Sequence, residues 1–198
     1  MKYLSIVSNF IAVMVLAGLA NSAFAQWALN AESSAVRFIT TKNNAIAESH
    51  EFGSLSGSIS AEGDVQVAIA LDSVETLVPI RNQRMRELLF ETANFPQAKI
   101  VASVDRNVID VAAKGGVLLT EIPITLSLHG YDKALTVPVL LVGTSGGNLL
   151  VQTSRPILVK AADFGLEKGV SLLREAAGLS SISTAVPVSF QLLFVPSV

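Results

Sequence analysis

One segment matches a motif for nucleophilic catalysis. Residues 143–147 read Gly-Thr-Ser-Gly-Gly, the pattern in which serine hydrolases place the nucleophile between a strand and a helix. Predicted strands flank Ser145 on both sides, and no histidine follows it. Residues 143–147 are therefore predicted to form a hairpin turn. An esterase-like hydrolase is the least favoured function, no catalytic residue is assigned, and the protein is predicted not to be an enzyme.

The two histidines, His50 and His129, are far apart in sequence. A metal site needs three or four convergent donors, so no metal site and no cofactor are predicted. His129 is expected at a surface or turn. His50 could form an acid–base cluster with Glu48 and Glu51, but a solvated strand end explains the same residues and is favoured.

Three arginines lie on a helix predicted over residues 81–91. At 100° per residue, Arg81 shares the apolar face of Met85, Leu88 and Leu89. Its guanidinium either extends past the helix end into solvent or lies at a cavity mouth, where it could meet a phosphate or quinone oxygen. Arg84 is expected to pair with Glu87.

The composition excludes several classes of protein. The 198 residues carry a net charge of -2, which argues against nucleic-acid binding because such proteins show a basic stripe. There is no cysteine, so disulfides, thiolate metal sites and lipid attachment through cysteine are excluded.

The first 25 residues are typical of a secretory signal peptide. Lys2 is followed by an apolar stretch over residues 10–20, and Ala23-Phe24-Ala25 matches the small-x-small cleavage pattern. We expect cleavage between Ala25 and Gln26, a periplasmic location, and one domain over residues 26–198.

Period-two alternation of apolar and polar residues dominates the rest of the chain and predicts strands. A second helix is predicted over residues 167–177, and the absence of alternating βα units indicates an antiparallel barrel or sandwich. The fold class is therefore all-β with two short helices. The clearest strands are predicted at 64–71, 118–128 and 186–194, with weaker ones at 36–40, 55–60, 98–105, 135–142 and 149–159.

Several short motifs, taken in order, resemble the YceI-like family of polyisoprenoid-binding proteins. The resemblance implies an extended lipocalin-like antiparallel β-barrel of about eight strands, with an apolar cavity for an isoprenoid chain. The motifs are Trp27-Ala28-Leu29-Asn30, Asp72-Ser73-Val74-Glu75-Thr76, Arg81-Asn82-Gln83-Arg84-Met85-Arg86, Phe95-Pro96, Leu126-Ser127-Leu128-His129-Gly130, Asp163-Phe164-Gly165-Leu166 and Val186-Pro187-Val188.

The inward apolar residues can either fill such a barrel or line a hollow one, and periodicity does not distinguish the two. With the resemblance, the predicted function is a periplasmic carrier of an isoprenoid lipid such as a quinone or prenyl phosphate. The alternative is a closed-core accessory protein of the envelope without a small ligand. A homodimer and a transient contact with a membrane or a membrane redox protein are left open. The residues predicted to line the cavity or its opening are Phe38, Ile69, Leu71, Arg81, Met85, Leu88, Leu89, Phe95, Ile124, Leu126, Leu128 and Phe190.

The leader prediction is tested by the mass of the exported protein. Protein recovered from a periplasmic fraction should begin at Gln26, because signal peptidase cuts after the small-x-small triplet. Intact-mass spectrometry measures this directly. A full-length species retained in the membrane fraction would contradict both the cleavage and the location.

Overall fold

The computed structural model describes residues 25–197. The predicted leader up to Phe24 lies outside these residues, so its cleavage stays a prediction. The described part contains an 11-stranded antiparallel sheet. Its strands are β1 (Ala25–Lys42), β2 (Ile46–Phe52), β3 (Leu55–Ser60), β4 (Asp64–Ala70), β5 (Val74–Glu75), β6 (Gln97–Ser103), β7 (Val117–Leu128), β8 (Tyr131–Thr144), β9 (Asn148–Thr153), β10 (Ile157–Lys160) and β11 (Ala185–Pro196).

Eight of these strands close into a barrel. Their order is β11-β9-β8-β7-β6-β4-β3-β1, and β1 pairs with β11 to complete the circle. Closure removes the unpaired edges that an open sheet exposes. The predicted all-β antiparallel barrel of about eight strands is thus confirmed, with β2, β5 and β10 as additions to its wall.

A bulge in β1 precedes the segment that pairs with β2. The register of β1 against β11 shifts between Asn30 and Ala35. The Ser34 hydroxyl donates to the Asn30 carbonyl at 2.7 Å and accepts from the Leu193 amide at 2.9 Å. Before the bulge β1 pairs with β3, and after it with β2. A bulge bends a strand, and here it accompanies the change of partner.

Three helices lie in the described residues: α1 (Pro79–Arg84), α2 (Arg106–Ala113) and α3 (Glu167–Ala176). A π-helical turn, Met85–Leu89, continues α1. The prediction of two helices missed α2, which Asp105 caps by accepting a hydrogen bond from the Asn107 amide. None of these helices is long and apolar enough to span a membrane.

Two more differences from the predicted elements have local causes. The strand predicted over residues 149–159 is interrupted between β9 and β10 at Pro156, which has no amide hydrogen for a ladder. Strand β2 was not predicted because two of its four inward positions, Glu48 and His50, are polar. The turn predicted around Ser145 is confirmed, since it joins antiparallel β8 and β9.

The interior of the barrel differs between its two ends. At the α2 end it is tightly packed apart from a small cavity of about 70 Å³, and α2 covers this end with Ile109 and Ala112. The other end lies beneath α1 and α3. The π turn that continues α1 packs closely on α3, because a Cβ on Gly169 would lie 2.7 Å from the Leu88 carbonyl oxygen. The residues that fill the α2 end are exposed by 2% or less and include Ile109, Val137, Val139, Leu141, Leu149 and Phe194.

Candidate functional site

The end of the barrel beneath α1 and α3 holds a cavity of about 570 Å³. Specific small-molecule sites commonly fall between roughly 300 and 1,000 Å³. Val78 and Ile80 line the cavity and are also exposed, by 40% and 53%. The cavity therefore reaches the surface beside the start of α1, and we call this opening the mouth.

Ten of the twelve residues predicted for the cavity line it, and the other two, Leu88 and Phe95, lie elsewhere. The ten come from strands β1, β4, β7 and β11, the turn after β4, and the α1 segment. They are Phe38, Ile69, Leu71, Arg81, Met85, Leu89, Ile124, Leu126, Leu128 and Phe190.

The π turn explains why Leu88 departs from the predicted helix face. Hydrogen bonds in a π turn run from i to i+5, as the bond from the Phe90 amide to the Met85 carbonyl does here. Each residue in such a turn rotates less than in an α-helix, so Leu89 and Phe90 line the cavity in place of Leu88. Arg84 also lines the cavity. It donates to the Ala176 carbonyl at 2.9 Å and does not form the predicted pair with Glu87.

Phe95 packs on the turn between β7 and β8. Its ring centroid lies 4.3 Å from that of His129, and a Cβ on Gly130 would lie 3.1 Å from the ring. His129 is in this turn, as predicted, with a left-handed φ of 52°. Phe95 therefore supports the turn and does not face the cavity.

A cluster of charged side chains lies in the otherwise apolar wall of the cavity. Glu48 accepts from Lys42 Nζ at 2.8 Å and from Arg81 Nη1 at 2.7 Å. Arg81 Nη2 also donates to the Thr76 carbonyl at 2.6 Å. The hydrogen bond from Lys42, assisted by the charge of Arg81, lowers the pKa of the Glu48 carboxyl. The cluster thus combines two cations with one carboxylate.

His50 extends this cluster into the cavity. The side chain is 4% exposed, and its Nε2 lies 2.9 Å from Thr40 Oγ1. Burial, together with the nearby charge of Arg81, lowers the pKa of the imidazole. The favoured prediction of a solvated strand end is therefore wrong for His50. His50 pairs with Phe38 of β1, and both side chains face the cavity.

Two buried nitrogens of this cluster have no hydrogen-bond partner within residues 25–197: His50 Nδ1 and Arg81 Nε. Buried polar atoms are almost always hydrogen-bonded. With His50 neutral, the charges of Lys42, Arg81 and Glu48 sum to +1. The cluster can therefore donate hydrogen bonds to the oxygen atoms of a bound molecule, whether that molecule is neutral or anionic.

The sequence predicted Arg81 at the cavity, but it did not place Lys42, Glu48 or His50 in the cavity wall. Strand β2 places Ile46, Glu48, His50 and Phe52 on one face, and this set is half polar. The alternation was therefore too weak to predict a strand. A period-two pattern with polar residues on its inward side was the signal that could have found the cluster.

The described part of the chain forms no metal-binding cluster, and Ser145 does not lie beside His50. It contains no group of three or more histidine, aspartate or glutamate side chains placed to hold a metal ion. Ser145 lies in the β8–β9 turn at the far end from His50.

The family follows from a match over most of the chain. A family model described as the YceI-like domain matches residues 27–194. The chain belongs to the YceI-like family. A search of curated proteins gave no match.

Solved structures of three other bacterial proteins have the same fold. A polyisoprenoid-binding domain from Saccharophagus degradans, implicated in plant cell wall breakdown, has a TM-score of 0.85 and 38% sequence identity, covering 87% of this chain and 99% of that one. BcnA of Burkholderia cenocepacia has a TM-score of 0.66 at 19% identity, covering 83% and 98%. The YceI protein of Campylobacter jejuni has a TM-score of 0.51 at 16% identity, covering 73% and 82%. The last two show the fold alone.

The burial of neutral His50 predicts a pH dependence of stability. Below about pH 6.5, His50 is protonated in the unfolded chain but stays neutral in the folded protein, because its pKa is lower there. Stability should therefore fall as the pH is lowered through this range. The lowered pKa of Glu48 acts in the same direction, but only below about pH 4.5.

Thermal denaturation between about pH 7.5 and pH 5.5 covers the range in which histidine side chains titrate. Comparison with His50→Gln then assigns the effect to His50. The midpoint of the wild type should fall over this range, and that of His50→Gln should change less. An equal fall in both proteins would show that another group causes the pH dependence.

Proposed function

We propose that this YceI-like protein is a carrier of a polyisoprenoid lipid. The tail occupies the apolar cavity, and the oxygen-bearing head lies against Lys42, Arg81 and His50. The observation that carries this proposal is the coexistence of a 570 Å³ apolar cavity with unpartnered buried nitrogens of His50 and Arg81 at one position in its wall. The 38% identical relative described as polyisoprenoid-binding supports it.

Apolar burial supplies enough free energy for this role. At about 0.8 kcal/mol for each buried CH₂ group, a 20-carbon tail contributes roughly 16 kcal/mol before costs. Association costs about 4 to 15 kcal/mol. Useful affinity therefore requires no covalent bond. The closed-core alternative needs a filled barrel, whereas this barrel has space at one end.

The polar cluster favours a head that accepts hydrogen bonds. A phosphate or a quinone oxygen can accept from the free Arg81 Nε, and the net charge of +1 favours a phosphate more than a neutral ring. Glu48 already neutralises one of the two cations. A prenyl phosphate or a quinone therefore matches the donors, and the protein holds the lipid without making or breaking a bond.

The same proposal places the carrier in the periplasm. The leader motif in residues 1–25 supports export. A periplasmic carrier keeps an apolar tail out of water between two membranes.

Loading from a membrane is supported by apolar side chains at the mouth. Leu77 is 88% exposed and has a left-handed φ of 62°, which is uncommon for a residue other than glycine. Val78 and Ile80 follow it and continue into the cavity wall. Exposed apolar surface of this kind often marks an interaction site. A lipid surface is the proposed partner, since a tail could then enter without crossing water.

The cavity is tested by Leu126→Phe. Leu126 lines the hollow end, so the added bulk should occupy space that a tail needs. We expect a several-fold loss of bound geranylgeranyl phosphate. We also expect less destabilisation of the delipidated protein than the roughly 1 to 3 kcal/mol typical of overpacked cores. Organic extraction with mass spectrometry measures the lipid, and denaturation measures stability.

Leu119→Phe is the matched control. Leu119 lies on the same strand, but it faces outward and is 67% exposed, so both quantities should remain at their wild-type values. A wild type that never binds lipid, combined with a clearly destabilised Leu126→Phe variant, would overturn the carrier proposal.

The membrane contact is tested by Leu77→Ser. Burying one leucine is worth roughly 1.5 to 3 kcal/mol, so affinity for phosphatidylglycerol vesicles should fall at least about tenfold. Thermal stability should not change, because the side chain is exposed. Vesicle flotation measures the binding. Leu119→Ser, a change at an exposed leucine outside the mouth, should bind like the wild type. Equal binding by all three proteins would contradict the contact.

A further inference from the structure

A second, smaller cavity lies beyond the first. It has a volume of about 70 Å³ and is lined only by apolar residues. Five side chains line both cavities and therefore separate them. We call these five the floor: Val67, Ile100, Ile124, Phe190 and Leu192.

The small cavity is a dead end. Ile109 of α2 and Phe194 of β11 line it, and they are 2% and 1% exposed. Apolar cavities of this kind stay free of water. A tail that enters at the mouth therefore meets the floor, and the remaining apolar space lies behind it.

We infer that the floor sets the maximum tail length of the bound lipid and that Phe190 is the residue that decides it. This inference rests on the proposed function and adds a length limit to it. Phe190 is the largest floor residue, and its inward position is fixed by pairing with Val36 of β1. Its ring has about the volume of one isoprene unit. Because Phe190 lies between the two cavities, removing the ring should join them.

The length limit predicts how affinity depends on the tail. Each added methylene that finds apolar space should tighten binding about fourfold. Once the tail reaches the floor, further carbons must stay in water or at the mouth, and the gain should stop. In Phe190→Ala the gain should continue for about one more isoprene unit, because the ring space and the small cavity become available.

Competition among all-trans prenyl alcohols from farnesol to solanesol, read by native mass spectrometry, measures this dependence. The wild type should show a preferred length. Phe190→Ala should shift that preference to the next longer alcohols, with their occupancy relative to the wild-type optimum rising at least about tenfold.

Phe194→Ala is the matched control. Phe194 lies on the same strand and the same face, but it lines only the small cavity. Its removal enlarges the space behind an intact floor, so the length preference should remain that of the wild type. If Phe190→Ala does not fold, Phe190→Leu opens the floor partly and should shift the preference in the same direction by a smaller step.

The outcomes separate this inference from the proposed function. If the wild type binds neither the alcohols nor geranylgeranyl phosphate, the proposed function fails and the length limit fails with it. If the wild type binds them with a preferred length that neither Phe190 variant shifts, or that Phe194→Ala shifts equally, the floor is not the limit. A shift confined to the Phe190 variants supports the inference.

Discussion

The bulge in β1 is the constraint on which the hollow end depends. Because β1 keeps β11 as a neighbour on both sides of the bulge, the barrel remains closed. Its other neighbour changes from β3 to β2, and β2 brings Glu48 and His50 into the wall. The Asn30 and Ser34 hydrogen bonds that stabilise the bulge therefore determine which side chains the cavity presents.

The two ends of the barrel divide stability and binding between them. Where α2 inserts Ile109 and Ala112, side chains make the dense contacts that stabilise a core. Beneath α1 and α3 those contacts are missing. A bound tail would restore them and would stabilise the folded state by mass action. The absence of packing at one end is consistent with a binding role, since the filled end supplies a core without it.

The charged cluster is compatible with an apolar cavity because its charges are paired. An isolated buried cation would bear a large desolvation cost. Here Glu48 contacts both Lys42 and Arg81, and the lowered pKa of His50 keeps that ring neutral. All three charged side chains remain about a quarter to a third exposed, which reduces the cost further. The cluster can thus persist in the empty protein and still offer donors to a ligand.

The alternation in the sequence determined an antiparallel all-β fold and much of its apolar lining, and the family resemblance selected a barrel over a sandwich. Alternation is local, and burying one face of a strand fixes which residues point inward, so Ile124, Leu126 and Leu128 could be predicted. Only the tertiary structure joined Arg81 to Glu48, which lie 33 positions apart, and rotated Leu88 off the cavity through the π turn. It also decided that the barrel holds a large cavity at one end and only a small one at the other. That outcome depends on the summed side-chain volumes of many strands and on the insertion of α2, and no local pattern encodes either one.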